Sequence, residues 1–132
     1  MKSAKMTLFA IFAVTMMTLS CSSDLTRDQR RVRRAAERCY SYLQKGKYEK
    51  FVGEIAYADS MSEDYRAQMV DLIKEFAALQ EAQHGKLLEA EAIGDTIIDA
   101  MAQVYLLVSY ADSTSEEVGL PMVKVDGDWK MQ

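Results

Sequence analysis

The hydrophobic rhythm of this chain changes once, near Gly85, and that change decides what it can fold into. Before Gly85 apolar residues recur every three or four positions, the period of a helix; after it they alternate, the period of a strand. Thr26-x-x-Gln29 has the form of a capping box and predicts a helix over 28–45, with Val32, Ala35, Ala36, Cys39 and Leu43 on one face. Gly46 follows, a residue suited to the left-handed conformation that ends helices. Because Cys39 lies within the apolar stripe, it reads as core rather than as a reactive thiol. Tyr48, Phe51, Val52 and Ile55 predict a second helix over 47–58. Ser60-x-x-Glu63 repeats the capping pattern and opens a third helix reaching about Gln83, with Met69, Leu72, Ile73, Phe76 and Leu79 expected to face inward.

Beyond Gly85, Leu88, Ala90 and Ala92 alternate with Glu89 and Glu91, a half-buried strand. Gly94-Asp95 reads as a tight turn into a longer strand over 96–110, whose second half is apolar on both faces. Asp126-Gly127 is the chemistry of a two-residue hairpin turn joining strands 116–125 and 128–132. That register sets Lys124 opposite Trp129 and Met122 opposite Met131, and gathers Leu120, Met122, Trp129 and Met131 on one face. Pro121, which has no N–H to donate, belongs at a bulge or beyond the end of the short last strand. The expected architecture is α+β: three N-terminal helices packed on a curved antiparallel sheet, as one domain over 28–132.

The first twenty residues are of another kind. Lys2 and Lys5 precede an uncharged apolar run from Met6 to Leu19, and Ser20-Cys21 closes it before polar Ser22, Ser23 and Asp24. As a helix the run would span roughly 21 Å, short of the ~30 Å hydrocarbon layer, so an export signal is expected over 1–20 rather than a membrane-spanning helix. Thr18-Leu19-Ser20-Cys21 resembles a bacterial lipobox, in its looser form like lipoproteins of the Bacteroidetes group. The pattern prefers an aliphatic residue where Thr18 stands. The resemblance implies a thioether-linked diacylglycerol on Cys21, residues 21–27 as the linker to the anchor, and a cell-envelope protein facing the periplasm or the cell surface. Two or more acyl chains hold a protein on a membrane stably. The alternative is ordinary cleavage that leaves Cys21 free.

Charge is divided along the chain. Residues 22–50 carry nine Lys or Arg against four acids, and residues 51–132 carry five against sixteen. An acidic body argues against nucleic acid as a partner, because phosphates demand a basic footprint. Arg27, Arg30, Arg31, Arg34 and Arg38 form a stripe on the first helix, away from its apolar face. Beside an anchored Cys21 they would lie near lipid headgroups; otherwise they are a solvated stripe partly neutralised by Asp28 and Glu37.

Two segments carry a family resemblance. Tyr40 to Leu43 followed by Lys45-Gly46-Lys47-Tyr48-Glu49-Lys50 resembles the first-to-second helix junction of the nuclear transport factor 2-like superfamily. Val123 to Met131 is similar to its closing hairpin, above all in lumazine-binding-like lipoproteins of Gram-negative bacteria, and Gly94-Asp95-Thr96 is similar to the same group. These motifs are structural. The resemblance implies a curved sheet wrapped around a helix, forming a cone with a pocket at its open end in many members. Members include isomerases, dehydratases and non-catalytic binding modules, so the fold does not select a function.

Candidate site residues are few. On the second face of the long strand, Gln103, Tyr105 and Ser109 interrupt apolar Met101 and Leu107, a pattern that suits either a pocket lining or a partly wet outer surface. The single histidine, His84, stands at the helix-to-sheet junction and reads as solvated or helix-capping. Tyr57 and Asp59 could reach a pocket mouth, but no catalytic dyad matches the superfamily's enzymes. Glu89 with Glu91, and Glu116 with Glu117, lack histidine or cysteine neighbours and predict no metal site. No glycine-rich phosphate loop is present and no cofactor is implied. The expected function is a lipid-anchored, non-catalytic binding or accessory domain holding a small apolar ligand. The alternatives are an isomerase-like or dehydratase-like enzyme, or a protein-protein module that forms a homodimer through the sheet.

Overall fold

A computed structural model describes residues 24–132. The export signal expected over 1–20 and Cys21, the expected lipid-attachment residue, lie outside the described residues. Three helices precede four strands: α1 (Arg27–Gln44), α2 (Tyr48–Gly53), a 3-10 turn (Ala58–Ser60), α3 (Glu63–His84), β1 (Leu87–Ile98), β2 (Met101–Tyr110), β3 (Ser115–Val125) and β4 (Asp128–Met131). The strands form one antiparallel sheet in the order β1-β2-β3-β4.

α1 begins at the expected capping box: the Gln29 N–H donates to Thr26 Oγ1 at 3.1 Å and the Thr26 N–H to Gln29 Oε1 at 2.9 Å. It ends at Gly46, where φ is +71° and the Lys47 and Gly46 N–H groups return to the carbonyls of Tyr42 and Leu43. Its apolar stripe is buried at Val32, Ala35, Ala36 and Cys39, against Val104, Leu106 and Val108 of β2 and Met122, Trp129 and Met131 of the last hairpin. That burial, near 25 cal/mol per Å² of apolar surface, is the main force holding α1 on the sheet.

Cys39 is 1% exposed, and burial pushes its thiol up to about 12. The thiolate is the reactive form, so native protein should not react with iodoacetamide at Cys39 at pH 7.5, whereas denatured protein should react fully. Rapid native labelling at Cys39, read by peptide mass, would contradict this packing.

The last hairpin has the register its sequence predicts: Lys124 pairs with Trp129 and Met122 with Met131, around Asp126 and Gly127 at φ +52° and +85°. Pro121 sits one residue past the last β3–β4 pair, where no ladder N–H is required.

Four expectations change. The second helix ends at Gly53 rather than near residue 58, and a separate 3-10 turn follows at Ala58–Ser60. Gly94-Asp95 is not a turn: β1 runs through it to Ile98, with bulges between Leu87 and Glu89 and between Ala92 and Gly94, and the reversal comes at Asp99-Ala100. Asp95 is instead held from α1, accepting from Arg33 Nε at 2.6 Å and Gln29 Nε2 at 3.2 Å. Ser62, not Ser60, caps α3, receiving the Tyr65 N–H at 3.1 Å. Finally, α3 packs through Met69, Val70 and Ile73, while Leu72, Phe76 and Leu79 are 57%, 51% and 63% exposed.

Both rims of the sheet meet other parts of the chain. At the β1 bulges, Glu37 Oε2 accepts the Ala92 N–H at 2.9 Å and Gln44 Nε2 donates to the Leu88 carbonyl at 2.7 Å. On the β4 side Met131 bridges to Ile55, its N–H donating to the Glu54 carbonyl at 2.8 Å and its carbonyl accepting the Ala56 N–H at 2.7 Å.

Candidate functional site

α1 and β2 end at the same pole of the domain, and α3 crosses beside them without filling the space. The gap is a cavity of about 410 Å³. Its walls are Tyr40 and Leu43 of α1, Tyr48 of α2, Phe76 and Ala77 of α3, and Leu87, Tyr110 and Val118 of the sheet. The exposed Phe76 is therefore one wall of a cavity rather than a misplaced core residue.

Polar groups from α1, α3 and the sheet interrupt these apolar walls. The Tyr110 hydroxyl donates to Glu116 Oε1 at 2.7 Å. Burial, and then that bond to a carboxylate, raises the Tyr110 pKa, and burial followed by the Glu116 charge raises that of Tyr40. Both phenols stay protonated at neutral pH, and that of Tyr110 donates to the carboxylate. Gln80, on α3, has its side-chain oxygen buried without a partner. A buried amide oxygen in that state favours a ligand that brings a donor. Gln44, Lys45, Glu81 and Lys86 complete the polar part of the lining.

The residues singled out from sequence lie elsewhere. Ala102, Val104, Leu106, Val108 and Tyr110 of β2 are buried, so Gln103, Tyr105 and Ser109 occupy the opposite face of the sheet and do not line this cavity. Tyr105 is paired with Gly94 on one side and Gly119 on the other, and a Cβ at either glycine would contact its ring. Ser109 Oγ lies 3.3 Å from Ser115 Oγ on the next strand. The three thus share the outer face of the sheet, away from this cavity.

His84 ends α3 and ties it to the β2–β3 turn: Nδ1 is 3.4 Å from Asp112 Oδ2 and from Thr114 Oγ1, and its ring lies 5.1 Å from that of Tyr110. Its side chain is half-exposed and joins the helix to the turn, with no bond to the carbonyls that end α3. Tyr57 and Asp59 are exposed at the 3-10 turn, away from the cavity. Glu89 and Glu91 share the outer face, and Glu116 and Glu117 point to opposite faces. Among the described residues no three acidic, histidine or cysteine side chains converge.

The family resemblance implied a pocket, but sequence reasoning missed its walls because they come from positions up to 78 residues apart. The available local signal was the pair Tyr40 and Tyr48 around the Gly46 junction.

Three helices against a curved four-stranded antiparallel sheet define the nuclear transport factor 2-like fold, and this chain has it. Among solved structures it is similar to a Campylobacter jejuni protein that bears the provisional name NTF2-like transpeptidase, with a TM-score of 0.58 and 17% identity over 73% of this chain and 92% of that one. No protein-family model and no curated protein matches the sequence.

Proposed function

We propose that this is a lipid-anchored cell-envelope protein whose domain binds, without catalysis, a small and mostly apolar molecule in the cavity between α1, α3 and the sheet. The observation that carries the reading is the cavity itself. At about 410 Å³ it lies within the ~300–1,000 Å³ range of small-molecule sites, and it is aromatic and aliphatic with a few convergent polar groups. The Tyr40 phenol and the unpartnered Gln80 amide would orient a ligand by its own donor or acceptor. The anchor rests on the Cys21 motif.

An isomerase-like or dehydratase-like enzyme is the second reading, favoured by the Tyr110–Glu116 pair, since a carboxylate at an apolar cavity is a general-base arrangement. Acyl transfer, suggested by the name of the Campylobacter protein, fits less well. The cavity wall offers no serine, threonine or cysteine nucleophile, and Cys39 is a buried thiol in the core.

Mass spectrometry of the detergent-extracted protein tests the proposal. The native spectrum should carry the mass of a retained small molecule, and Ala77→Trp, which fills the cavity from α3, should remove it while circular dichroism stays unchanged. A ligand-free wild type, or ligand retained by A77W, would count against the cavity as the site. The same spectrum counts subunits, and a mass of two copies would support pairing through the outer sheet face.

A further inference from the structure

The end of the domain opposite the cavity combines features that the binding site does not use. The Lys124 N–H donates to the Ala100 carbonyl at 2.7 Å, Lys124 Nζ reaches Asp28 at 2.9 Å, and Arg31 Nη2 reaches the Gly127 carbonyl at 3.2 Å. The β1–β2 turn, the β3–β4 hairpin and the first turns of α1 therefore form one end. On it Ile98, Met101 and Val125 are 69%, 49% and 37% exposed, and Ile98, Met101 and Val123 are neighbours in one cross-strand row. Turn tips rarely carry such side chains without an apolar partner. These apolar residues lie on the outer sheet face, and at the same end Arg27, Arg30 and Arg34 stand on the exposed side of α1, in no ion pair among the described residues.

We propose that this end, with Ile98, Met101 and Val125 dipping into the interface and Arg27, Arg30 and Arg34 among the headgroups, rests on the bilayer that holds the anchor. The inference rests on acylation of Cys21. Arg27 stands six positions after Cys21, and at ~3.3–3.6 Å per residue that stretch spans at most about 22 Å, so this end cannot leave the vicinity of the surface. Asp99, Asp126 and Asp128 share it, and Arg31 lies 4.0 Å from Asp128, so the charge there is mixed. Long-range attraction is therefore small, and the contact is a short-range apolar one that the tether makes possible. The exposed apolar residues of α3 are unlike this patch: they lie toward the cavity end, and nothing on them points to a bilayer.

Single-cysteine labelling of the full-length acylated chain tests the proposal. Cys39 is buried and an acylated Cys21 has no thiol, so Ile98→Cys, Met101→Cys and, as a distant control, Leu79→Cys each add one reactive site. The labelled proteins are placed on vesicles of phosphatidylethanolamine and phosphatidylglycerol containing a nitroxide-headgroup lipid. Fluorophores at 98 and 101 should be quenched about threefold or more above the label at 79, as side chains at the headgroup boundary would be. Retention on vesicles with equal quenching at all three sites would overturn the surface and leave the anchor standing. Loss of retention, with no acyl mass on Cys21, would overturn both.

Discussion

Replacing Trp129 with alanine is expected to lower the stability of the domain by about 3–5 kcal/mol, the range for removing a large buried aromatic side chain. Trp129 is 3% exposed and stands on the inner face of the shortest strand, in the core cluster with Val32, Met122 and Met131. Outside, Lys124 Nζ lies 5.1 Å from its ring centroid, so the indole is sandwiched between core and cation. Four residues of β4 offer too little pairing to hold that edge, and the ring is what fixes it to α1. A loss of that size is a large part of the 5–15 kcal/mol that single domains possess, and should lower Tm by about 15–25 °C. Thermal melts followed by far-UV circular dichroism measure it; fluorescence will not serve, because Trp129 is the only tryptophan. Trp129→Phe should retain most of the stability. A loss under ~1 kcal/mol for W129A would mean the hairpin is held by something other than this ring.

The second large effect is acid sensitivity centred on Glu54. This residue, 9% exposed, accepts from Arg38 Nε at 2.7 Å and from Lys130 Nζ at 3.0 Å, joining α1, the segment after α2 and β4. Burial alone would raise its pKa, but the two cations outweigh burial and hold the carboxyl below its ordinary value of 4.5. A folded-state pKa below the unfolded one contributes stability that is complete above the unfolded value and disappears as pH falls through the folded one. Wild-type stability at pH 7 should therefore decline once the pH drops below about 4.5. Glu54→Gln should lose about 2 kcal/mol at pH 7, less than the ~3–5 for breaking a fully buried pair, because Arg38 and Lys130 remain partly in water. It should also flatten the acid limb. Urea titrations of both proteins from pH 7 to pH 3 provide the comparison, and parallel curves would show that the network contributes nothing through this carboxylate.

Where packing follows local periodicity, the sequence was a sufficient guide. The stripe from Val32 to Cys39 buries as its spacing requires, and Asp126-Gly127 sets the register of Met122 and Trp129 because its backbone angles leave no other two-residue turn. Gly94-Asp95 carries the same chemistry and misleads. Its aspartate is bound by Arg33 and Gln29, more than sixty residues earlier, and that tertiary demand overrides the local turn preference. The true reversal at Asp99-Ala100 has no glycine and places Asp99 at φ +55°. On α3 the helical spacing of Leu72, Phe76 and Leu79 was legible, but what they face was not. A helix packed mainly through one half exposes the rest of its stripe, and no nearby residue announces where the packing stops. The lining of the cavity was illegible for the same reason, since Tyr40, Phe76, Tyr110 and Glu116 meet only after the sheet has curved.

The covered rims of the sheet limit how this molecule can associate. An extended peptide joins a sheet by lengthening its hydrogen-bond ladder, which requires an unbroken row of available N–H and carbonyl groups. Along β1 that row is interrupted at Leu88 and Ala92, where helix side chains already hold the groups, and at β4 it is taken by Glu54 and Ala56. Bound groups thus shorten the free ladder at both margins, and a strand added along either one would have to displace contacts the chain already makes.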